Sequence, residues 1–265
     1  MKNKFNLTNK LILITGCSSG IGYETLLEYS KYNVKLALIG RSEKLLNDIK
    51  DKILVYNKNI EVFPFDLIES DLIDQLIEGI ENKFHQSIDV LINCAGLASL
   101  GNIENIPIEA FNKNYKINYL APLILSKKVL GNMINNNSGQ IIFIHSGCGK
   151  RGLPSSSPYC ASKAALAAFV ESLRVEIHNY NIDIISVYPG IVNTNIRKNA
   201  EVFGSIKLEF NFKGSKESNY VAKKIIIGSI KRKNYIYLSV RTYFGVLFSF
   251  LFPKLVDFLL TSKIK

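Results

Sequence analysis

Short apolar runs rich in β-branched and aliphatic residues recur along the chain, separated by stretches with helical spacing. The runs are Lys10–Thr15, Val34–Ile39, Ile60–Phe65, Ile88–Ile92, Gln140–His145, Ile182–Val187 and Tyr235–Leu238. Most are continuously apolar, as expected of parallel strands buried on both faces. Between them, Tyr23–Tyr32 carries Leu26, Leu27 and Tyr29 at helical spacing, and Ser42-Glu43-Lys44-Leu45 opens a second helix with Ser42 as N-cap. Ser70–Phe84 places Leu72, Ile73, Leu76, Ile77 and Ile80 on one face. Pro107–Asn136 predicts two consecutive helices, the second long and centred on Asn118–Leu130, and Tyr159–Asn179 and Asn219–Ile230 predict two more. Strand and helix therefore alternate, which predicts an α/β chain with a single doubly wound parallel seven-stranded sheet. No repeat or linker divides it, so residues 1–238 read as one domain and 239–265 as an appendage.

Two stretches escape this alternation. Asn195–Ser218 has no clean period and mixes Gly204, Gly214, Phe203, Phe210 and Phe212 with several charges. Loops of this length in a compact domain are commonly functional, and its aromatics predict a lid over an apolar substrate. In the tail, Thr242–Phe252 is uncharged and bracketed by Arg241 and Lys254. A membrane span needs ~20 apolar residues, and Pro253, Lys254 and Asp257 cut this run short. It reads as an amphipathic or wholly buried appendage that docks on its own domain, pairs with a second subunit, or lies in a membrane interface.

Composition narrows the partners. The 265 residues are 47% hydrophobic and 21% charged, ordinary for a soluble globular protein. Thirty-three basic against 22 acidic residues give a net charge of +11, which favours anionic partners. No zinc-finger spacing or aromatic-interleaved basic motif supports nucleic acid, so none is expected. Cys17, Cys94, Cys148 and Cys160 form neither a CxxC pair nor a metal-ligand pattern. Reduced thiols, and a polar Met1–Lys10 without signal-peptide layout, predict a cytoplasmic protein.

The candidate chemistry falls at the ends of the predicted strands. Thr15-Gly16-Cys17-Ser18-Ser19-Gly20-Ile21-Gly22 follows a strand and opens a helix. Glycines there let the backbone approach a pyrophosphate whose charge sits at the helix N-terminus. Arg41 ends the second strand where no carboxylate stands, which favours NADP(H) over NAD(H); the alternative is a turn residue facing water. Asp66, before Leu67, is placed either to accept from an adenine amino group or to end a strand. Asn93-Cys94-Ala95-Gly96 offers small residues against which a cofactor ribose can lie. Asn118 sits among Ile117, Tyr119 and Leu120, where a buried amide needs partners. Ser146 stands thirteen positions before Tyr159, enough for a loop that folds its hydroxyl back toward the phenol. Tyr159 and Lys163 are four apart on a helix, so the ammonium can lower the phenol pKa from about 10. Such a phenol exchanges a proton with a carbonyl or alcohol oxygen near neutral pH. Pro189-Gly190 ends the sixth strand, and Thr194 either bonds a nicotinamide carboxamide or caps a short helix.

This set resembles the short-chain dehydrogenase/reductase family over nearly the whole chain. Thr15-Gly16-x-x-x-Gly20-x-Gly22 is similar to its cofactor loop, Asn93-Cys94-Ala95-Gly96 to its NNAG turn, and Pro189-Gly190 with Thr194 to its PGxxxT segment. Asn118, Ser146, Tyr159 and Lys163 match its catalytic tetrad in type and order. The helix from Tyr159 and the apolar-basic tail look most similar to the hydroxysteroid-dehydrogenase-like branch, which includes member 7-type dehydrogenase/reductases, several of them membrane-associated. Two departures are His145, where serine is common, and Cys94 for Asn. The resemblance implies a Rossmann fold and hydride transfer between a nicotinamide and a carbonyl or secondary alcohol. It makes Tyr159 the proton donor and Ser146 a hydrogen-bond donor to the same substrate oxygen. Lys163 would hold the nicotinamide ribose, and Asn118 a water linking Lys163 to solvent. The apolar tail and aromatic lid favour a small lipophilic ketone or alcohol, and the alanine-rich start of the Tyr159 helix suits a homodimer or homotetramer. A second reading is reduction of a 3-oxoacyl thioester on an acidic carrier protein. A third, of another class, is an NADP(H)-sensing protein without turnover.

Overall fold

The computed structural model describes residues 3–196, 198–204 and 215–261. Its frame is β1 (Leu11–Thr15), α1 (Gly20–Tyr29), β2 (Lys35–Gly40), α2 (Glu43–Ile53), β3 (Ile60–Pro64), α3 (Ile73–Phe84) and β4 (Val90–Asn93). After β5 (Ser99–Gly101), α4 (Ile108–Tyr115) runs through a π-helical turn, Lys116–Leu120, into α5 (Ala121–Asn135). Then follow β6 (Gly139–Ile144), α6 (Ser157–Glu176), β7 (Ile182–Tyr188), β8 (Glu201–Phe203), α7 (Ser218–Ile230) and β9 (Tyr235–Tyr237). The chain closes with α8 (Val240–Leu251) and α9 (Pro253–Thr261).

Seven of these strands pair in the order β3-β2-β1-β4-β6-β7-β9, every pairing parallel. Strand side chains alternate between faces, and β1 shows the consequence. Ile12 and Ile14 join Leu26 and Tyr29 of α1 and Val221 and Ile225 of α7 on one side. Leu11 and Leu13 join Ile77 of α3, Leu125 of α5 and Leu166 of α6 on the other. Both faces of the sheet are thus covered, which is why its strands read as unbroken apolar runs. The chain leaves β1 in one direction to β2 and later returns to β1's other side as β4. The carboxyl ends of β1 and β4 therefore flank the crevice where such sheets bind ligands.

The expected doubly wound parallel seven-stranded sheet is present, and the structure refines three further expectations. The aperiodic stretch after β7 is not only a loop: Glu201–Phe203 pairs in parallel with Ser99–Gly101 as a separate two-stranded sheet. Three residues are too short to show a period. The lid residues Phe210, Phe212 and Gly214 lie outside the described residues. The two helices over Pro107–Asn136 meet through a π turn centred on Asn118. The tail is not wholly buried: Phe244 is 59% exposed, Phe250 82% and Phe258 71%. Its two helices bend by 112°, and α9 is tied to the body through an ion pair between Asp257 and Arg151.

The amino-terminal end of the sheet is fastened by a buried ion pair. Arg232, in the turn between α7 and β9, donates through Nε to Asp183 Oδ2 of β7 at 2.7 Å, with the two side chains 8% and 2% exposed. Gln140 of β6 donates to the same carboxylate at 2.9 Å. Replacing Asp183 with alanine leaves a buried guanidinium without its carboxylate and is expected to cost about 3–5 kcal/mol in denaturant unfolding.

Candidate active site

The loop after β1 is shaped by close approach. Gly16 has φ +67°, and a Cβ there would lie 2.6 Å from Ala95 Cα; one on Gly22 would lie 2.1 Å from the Gly16 carbonyl oxygen. The chain can make this turn only with hydrogen side chains at both places. The Thr15 hydroxyl donates to the Ile92 carbonyl at 3.3 Å and accepts from the Cys94 and Ala95 N–H groups at 3.1 Å each. It thereby ties the turn after β1 to the turn after β4. Ser19 precedes α1 in extended conformation without a side-chain cap bond, and the first turn of α1 carries no acidic residue. Its amide donors are left to an anion. Gly20, at φ +56°, faces Thr194, and the Cys17 side chain is turned into the core while Ser18 and Ser19 stay exposed.

Other expected cofactor contacts stand around this crevice with different freedom. Arg41 follows β2 and is exposed, while Ser42 caps α2 by accepting from the Leu45 N–H. Asp66 accepts from the Ile68 N–H at 3.1 Å, so it shapes its own turn; Leu67 is buried in the core and can offer a ligand only backbone. Asn93 is buried, donates to Ser126 and leaves Oδ1 without a partner. Pro189 is buried, and Gly190 turns the chain at φ +77°. A cradle closed to Cβ atoms, an uncapped helix N-terminus and a cation at the end of β2 together fit a phosphorylated dinucleotide.

The four candidate catalytic residues come from three elements. Ser146 lies two residues after β6 and caps the short turn that follows, its Oγ accepting from the Cys148 N–H at 3.2 Å, which leaves the hydroxyl proton to donate. The following turn, Gly147–Gly149, lies directly on α6: a Cβ on Gly149 would be 2.6 Å from the Lys163 carbonyl oxygen. A Cys148–Cys160 hydrogen bond joins the same two segments. These contacts lay the turn that follows Ser146 against α6, the helix that carries Tyr159. Tyr159 stands partly exposed in the first turn of α6, and Lys163, one turn on, is 5% exposed with Nζ donating to the Ile144 carbonyl at 3.0 Å. A Cβ on Gly96 would lie 3.4 Å from Asn118 Oδ1 and 4.0 Å from Lys163 Nζ, so the turn after β4, the π turn and α6 converge. Asn118 is fully buried; its Oδ1 accepts from the Leu97 N–H and its Nδ2 donates to the Leu97 carbonyl, both at 2.8 Å.

Burial sets the electrostatics. Loss of solvent pushes the Lys163 ammonium down to about 8, against smaller opposing effects from Cys94 and Cys148. Burial pushes the Cys94 thiol up to about 12, so it stays protonated beside the cofactor turn. His145 is pushed down to about 3, first by burial and then by the charges of Lys163, Lys150 and Arg174, and neither ring nitrogen has a partner.

Sequence reasoning missed an aromatic ladder beside Ser146. Tyr188 and Tyr237 are register partners on β7 and β9, and the His145 N–H bonds the carbonyl of the residue before Tyr188. The rings of His145, Tyr188 and Tyr237 stack at successive centroid distances of 4.9 Å, close to the ~4.8 Å between strands. Aromatic residues at several strand ends were a visible signal, but only the strand order makes them neighbours. Tyr188 and Tyr237 of the ladder line a cavity of about 590 Å³, together with Gly147 and with Val246, Leu247 and Phe250 of α8. Neither Ser146 nor Tyr159 lines this cavity, which lies beside the four candidate residues through Gly147 and does not contain them.

The family profile described as short chain dehydrogenase matches residues 10–202. The chain is 31% identical over 206 residues to dehydrogenase/reductase SDR family member 7B of Danio rerio, covering 76% of this chain and 66% of that protein. It is 33% identical over 202 residues to dehydrogenase/reductase SDR family member 7 of Homo sapiens, covering 74% of this chain and 59% of that protein. The match thus spans less than two thirds of either relative's length. Among solved structures, a short-chain dehydrogenase/reductase from Burkholderia phymatum in complex with NAD superposes with TM-score 0.85 at 19% identity, over 95% of this chain and 96% of that one. An alcohol dehydrogenase from Thermococcus sibiricus complexed with 5-hydroxy-NADP gives 0.74 at 22% identity, over 86% and 94%. At these identities the structures speak for the fold alone.

A lysine whose folded pKa lies below its unfolded value weakens the fold while it must be charged. The penalty is full below about pH 8 and is relieved as pH rises through 8 toward the ordinary 10.5. Over that window wild type is expected to gain stability relative to a Lys163→Met variant, which thermal unfolding of the two across the range will measure.

Proposed function

This chain belongs to the short-chain dehydrogenase/reductase family, and on that footing we propose that it is an NADP(H)-dependent oxidoreductase acting on a lipophilic ketone or secondary alcohol. Residues 1–238 form the catalytic body in this reading, and residues 239–265 the appendage that serves it. One observation carries it: the turn after β4, the π turn at Asn118, the Ser146 turn and the first turns of α6 meet beside a loop built for a pyrophosphate. A nicotinamide dinucleotide held in that crevice would supply or accept the hydride at the carbonyl carbon.

The chain's own residues manage the oxygen. In the reductive direction the Tyr159 phenol gives its proton to that oxygen, and the Ser146 hydroxyl donates a hydrogen bond to it as negative charge grows there. Lys163 keeps a positive charge one helical turn from Tyr159, which favours the phenolate left behind and makes proton donation easier. Its amine is also the group available to the nicotinamide ribose. Asn118 holds the turn after β4 through Leu97 and keeps the π turn in place, from which a water reaches Lys163. Thr15, Gly16, Ser18, Ser19, Gly20, Ile21, Gly22, Asn93, Ala95, Gly96, Pro189, Gly190 and Thr194 would hold the dinucleotide, with Asp66 and Leu67 available to its adenine. Exposed Arg41, with no carboxylate beside it in sequence, supports NADP(H) over NAD(H) through the 2′-phosphate.

The flanking cavity supports the substrate class. Its lining is largely aromatic and aliphatic, suited to the apolar body of a molecule whose carbonyl reaches Ser146 and Tyr159. Lys150 and Arg151 stand at this cavity but pair with Glu171 and Asp257, so they present little unspent charge to an acidic carrier protein. The carrier-thioester reading therefore gains nothing, and no observation favours a sensor without turnover.

The tail's exposed apolar side chains support contact with an anionic membrane surface. Among the described residues no single helix is long and apolar enough to cross a membrane, and the 112° bend between α8 and α9 suits a pair that lies in the interface. Arg241, Lys254, Lys263 and Lys265 are its basic residues, and its one acid, Asp257, is engaged with Arg151. Like charge opposes packing two such tails together and favours anionic headgroups. A cytoplasmic protein docked this way takes a lipophilic substrate into the cavity under α8. Self-association as a homodimer or homotetramer is assigned instead to α6, where Ala161, Ala164 and Ala168 lie exposed along one face.

A screen of ketones and alcohols with NADPH and NADH tests the enzymatic reading. Tyr159→Phe is expected to lower turnover by ~10²–10⁴-fold with cofactor affinity retained, and Arg41→Ala to raise KM for NADPH far more than for NADH. An active Phe variant would refute the mechanism; equal effects on the two cofactors would remove the preference. For the tail, cosedimentation with phosphatidylcholine vesicles containing phosphatidylserine is expected for wild type, with loss in Leu251→Asp/Phe258→Asp and weakening at high salt. A wild type that stays in the supernatant rules the contact out.

A further inference from the structure

A polar line leaves Asn118 on the side away from the reaction centre. The Asn118 amide donates to Asn114 Oδ1 at 3.4 Å, Asn114 Nδ2 donates to Ser99 Oγ at 2.7 Å, and the Ser99 hydroxyl donates to Glu201 Oε2 at 3.3 Å. Asn114 and Ser99 are fully buried, whereas the Glu201 side chain is 33% exposed and also ion-paired with Lys113. Every donor in this line points toward the carboxylate, an arrangement in which successive hydrogen bonds polarise one another. In the other direction Asn118 donates to Ser162 Oγ at 2.9 Å, and the Ser162 hydroxyl donates to the Tyr159 carbonyl at 2.8 Å.

The line joins segments far apart in the chain. Asn114 lies one turn before Asn118, Ser99 lies in β5, and Glu201 lies in β8, where its own N–H bonds the Ala98 carbonyl. Three residues separate Ala98 from Cys94, so the small β5–β8 sheet is a continuation of the cofactor turn. Carboxamides pass protons poorly, which makes this a line of orientation and not a proton path. Its effect falls on one choice. An Asn118 amide turned over would set its NH₂ against the Leu97 N–H and its oxygen against the Leu97 carbonyl, and the acceptor on Asn114 opposes that flip. The two hydrogens of Asn118 Nδ2 go to the Leu97 carbonyl at 2.8 Å and Ser162 Oγ at 2.9 Å, and Asn114 Oδ1 at 3.4 Å shares one of them as a weak third acceptor, as suits a group that biases orientation without supplying much strength.

The geometry points to Asn114 as a positioning residue for the reaction proposed above, with Ser99 and Glu201 coupling the seating of β8 to the orientation of Asn118. The placement rests on the oxidoreductase reading, because Asn118 matters only if α6 carries the proton donor. Seating of the segment after β7 is thereby sensed at the tetrad through side chains that touch neither cofactor nor substrate.

The test compares single and double variants on a small soluble ketone with NADPH, with turnover normalised to cofactor-binding sites counted by fluorescence titration. Asn114→Leu, close in volume and without polar atoms, is expected to lower kcat per site about 10- to 100-fold while KM for ketone stays within about threefold. Glu201→Leu lowers kcat in the same way, and Glu201→Gln, which still accepts from Ser99, stays within about twofold of wild type. Because the residues act as one line, the double variant Asn114→Leu/Glu201→Leu is no slower than the slower single. Unchanged kcat per site in Asn114→Leu overturns the proposal, as does full multiplication of the two losses or equal loss in Glu201→Gln and Glu201→Leu. Should Asn114→Leu fail to fold, Ser99→Ala gives the same reading against the same criteria. A wild type inactive on every carbonyl overturns the enzymatic reading and the positioning role together; an active wild type with indifferent variants overturns only the latter.

Discussion

Lys163 brings an ammonium group to a position with 5% exposure, and a cation there is tolerable only where fixed dipoles replace the water it has lost. The Ile144 carbonyl at 3.0 Å supplies one such dipole, and the Asn118 carboxamide lies on the same side of the group. Replacement is incomplete, which is why the amine is pulled down to about 8. Partial compensation is what a site of this kind requires. A fully paired lysine would lend its charge to its partner, whereas an under-solvated one keeps a field that an incoming anion would feel.

That constraint explains the close contacts around it. The Ser146 turn can reach α6 only because Gly149 has no side chain to strike the Lys163 carbonyl. The turn after β4 can approach only because Gly96 leaves room for Asn118 and the amine. The π turn widens the helix where Asn118 must face both Leu97 and Ser162, a local irregularity of the kind found at functional sites. These accommodations lie at the carboxyl end of the sheet, while the Asp183–Arg232 pair and its hydrogen bonds hold the opposite end. Strain and under-solvation at one end are thus set against full satisfaction at the other.

The tail stands apart from this economy of contacts. The hydrophobic effect folds the body around two apolar layers, yet α8 and α9 leave Phe250 82% and Phe258 71% exposed. An apolar surface so large belongs against something apolar, and its inner side already roofs the cavity beside the tetrad. One short segment therefore presents two surfaces, an inner one over the cavity and an outer one open to an apolar partner.

The chain's own order of residues determined the sheet, its parallel sense and the family to which it belongs. Continuous apolar runs, helical periods and the glycine spacing after β1 are local signals, each readable within about a dozen residues. Tyr159 and Lys163 were legible for the same reason, since one helical turn separates them. What only tertiary structure decided are relations between distant segments. The pairing of Ser99–Gly101 with Glu201–Phe203 is too short to carry a period. The ring ladder of His145, Tyr188 and Tyr237 exists only once β6, β7 and β9 lie side by side. The line from Asn118 to Glu201 spans residues whose identities, taken singly, describe ordinary polar positions. Burial likewise cannot be read from the letter K at position 163. A pKa depends on the water that packing removes, and packing is a property of the whole fold.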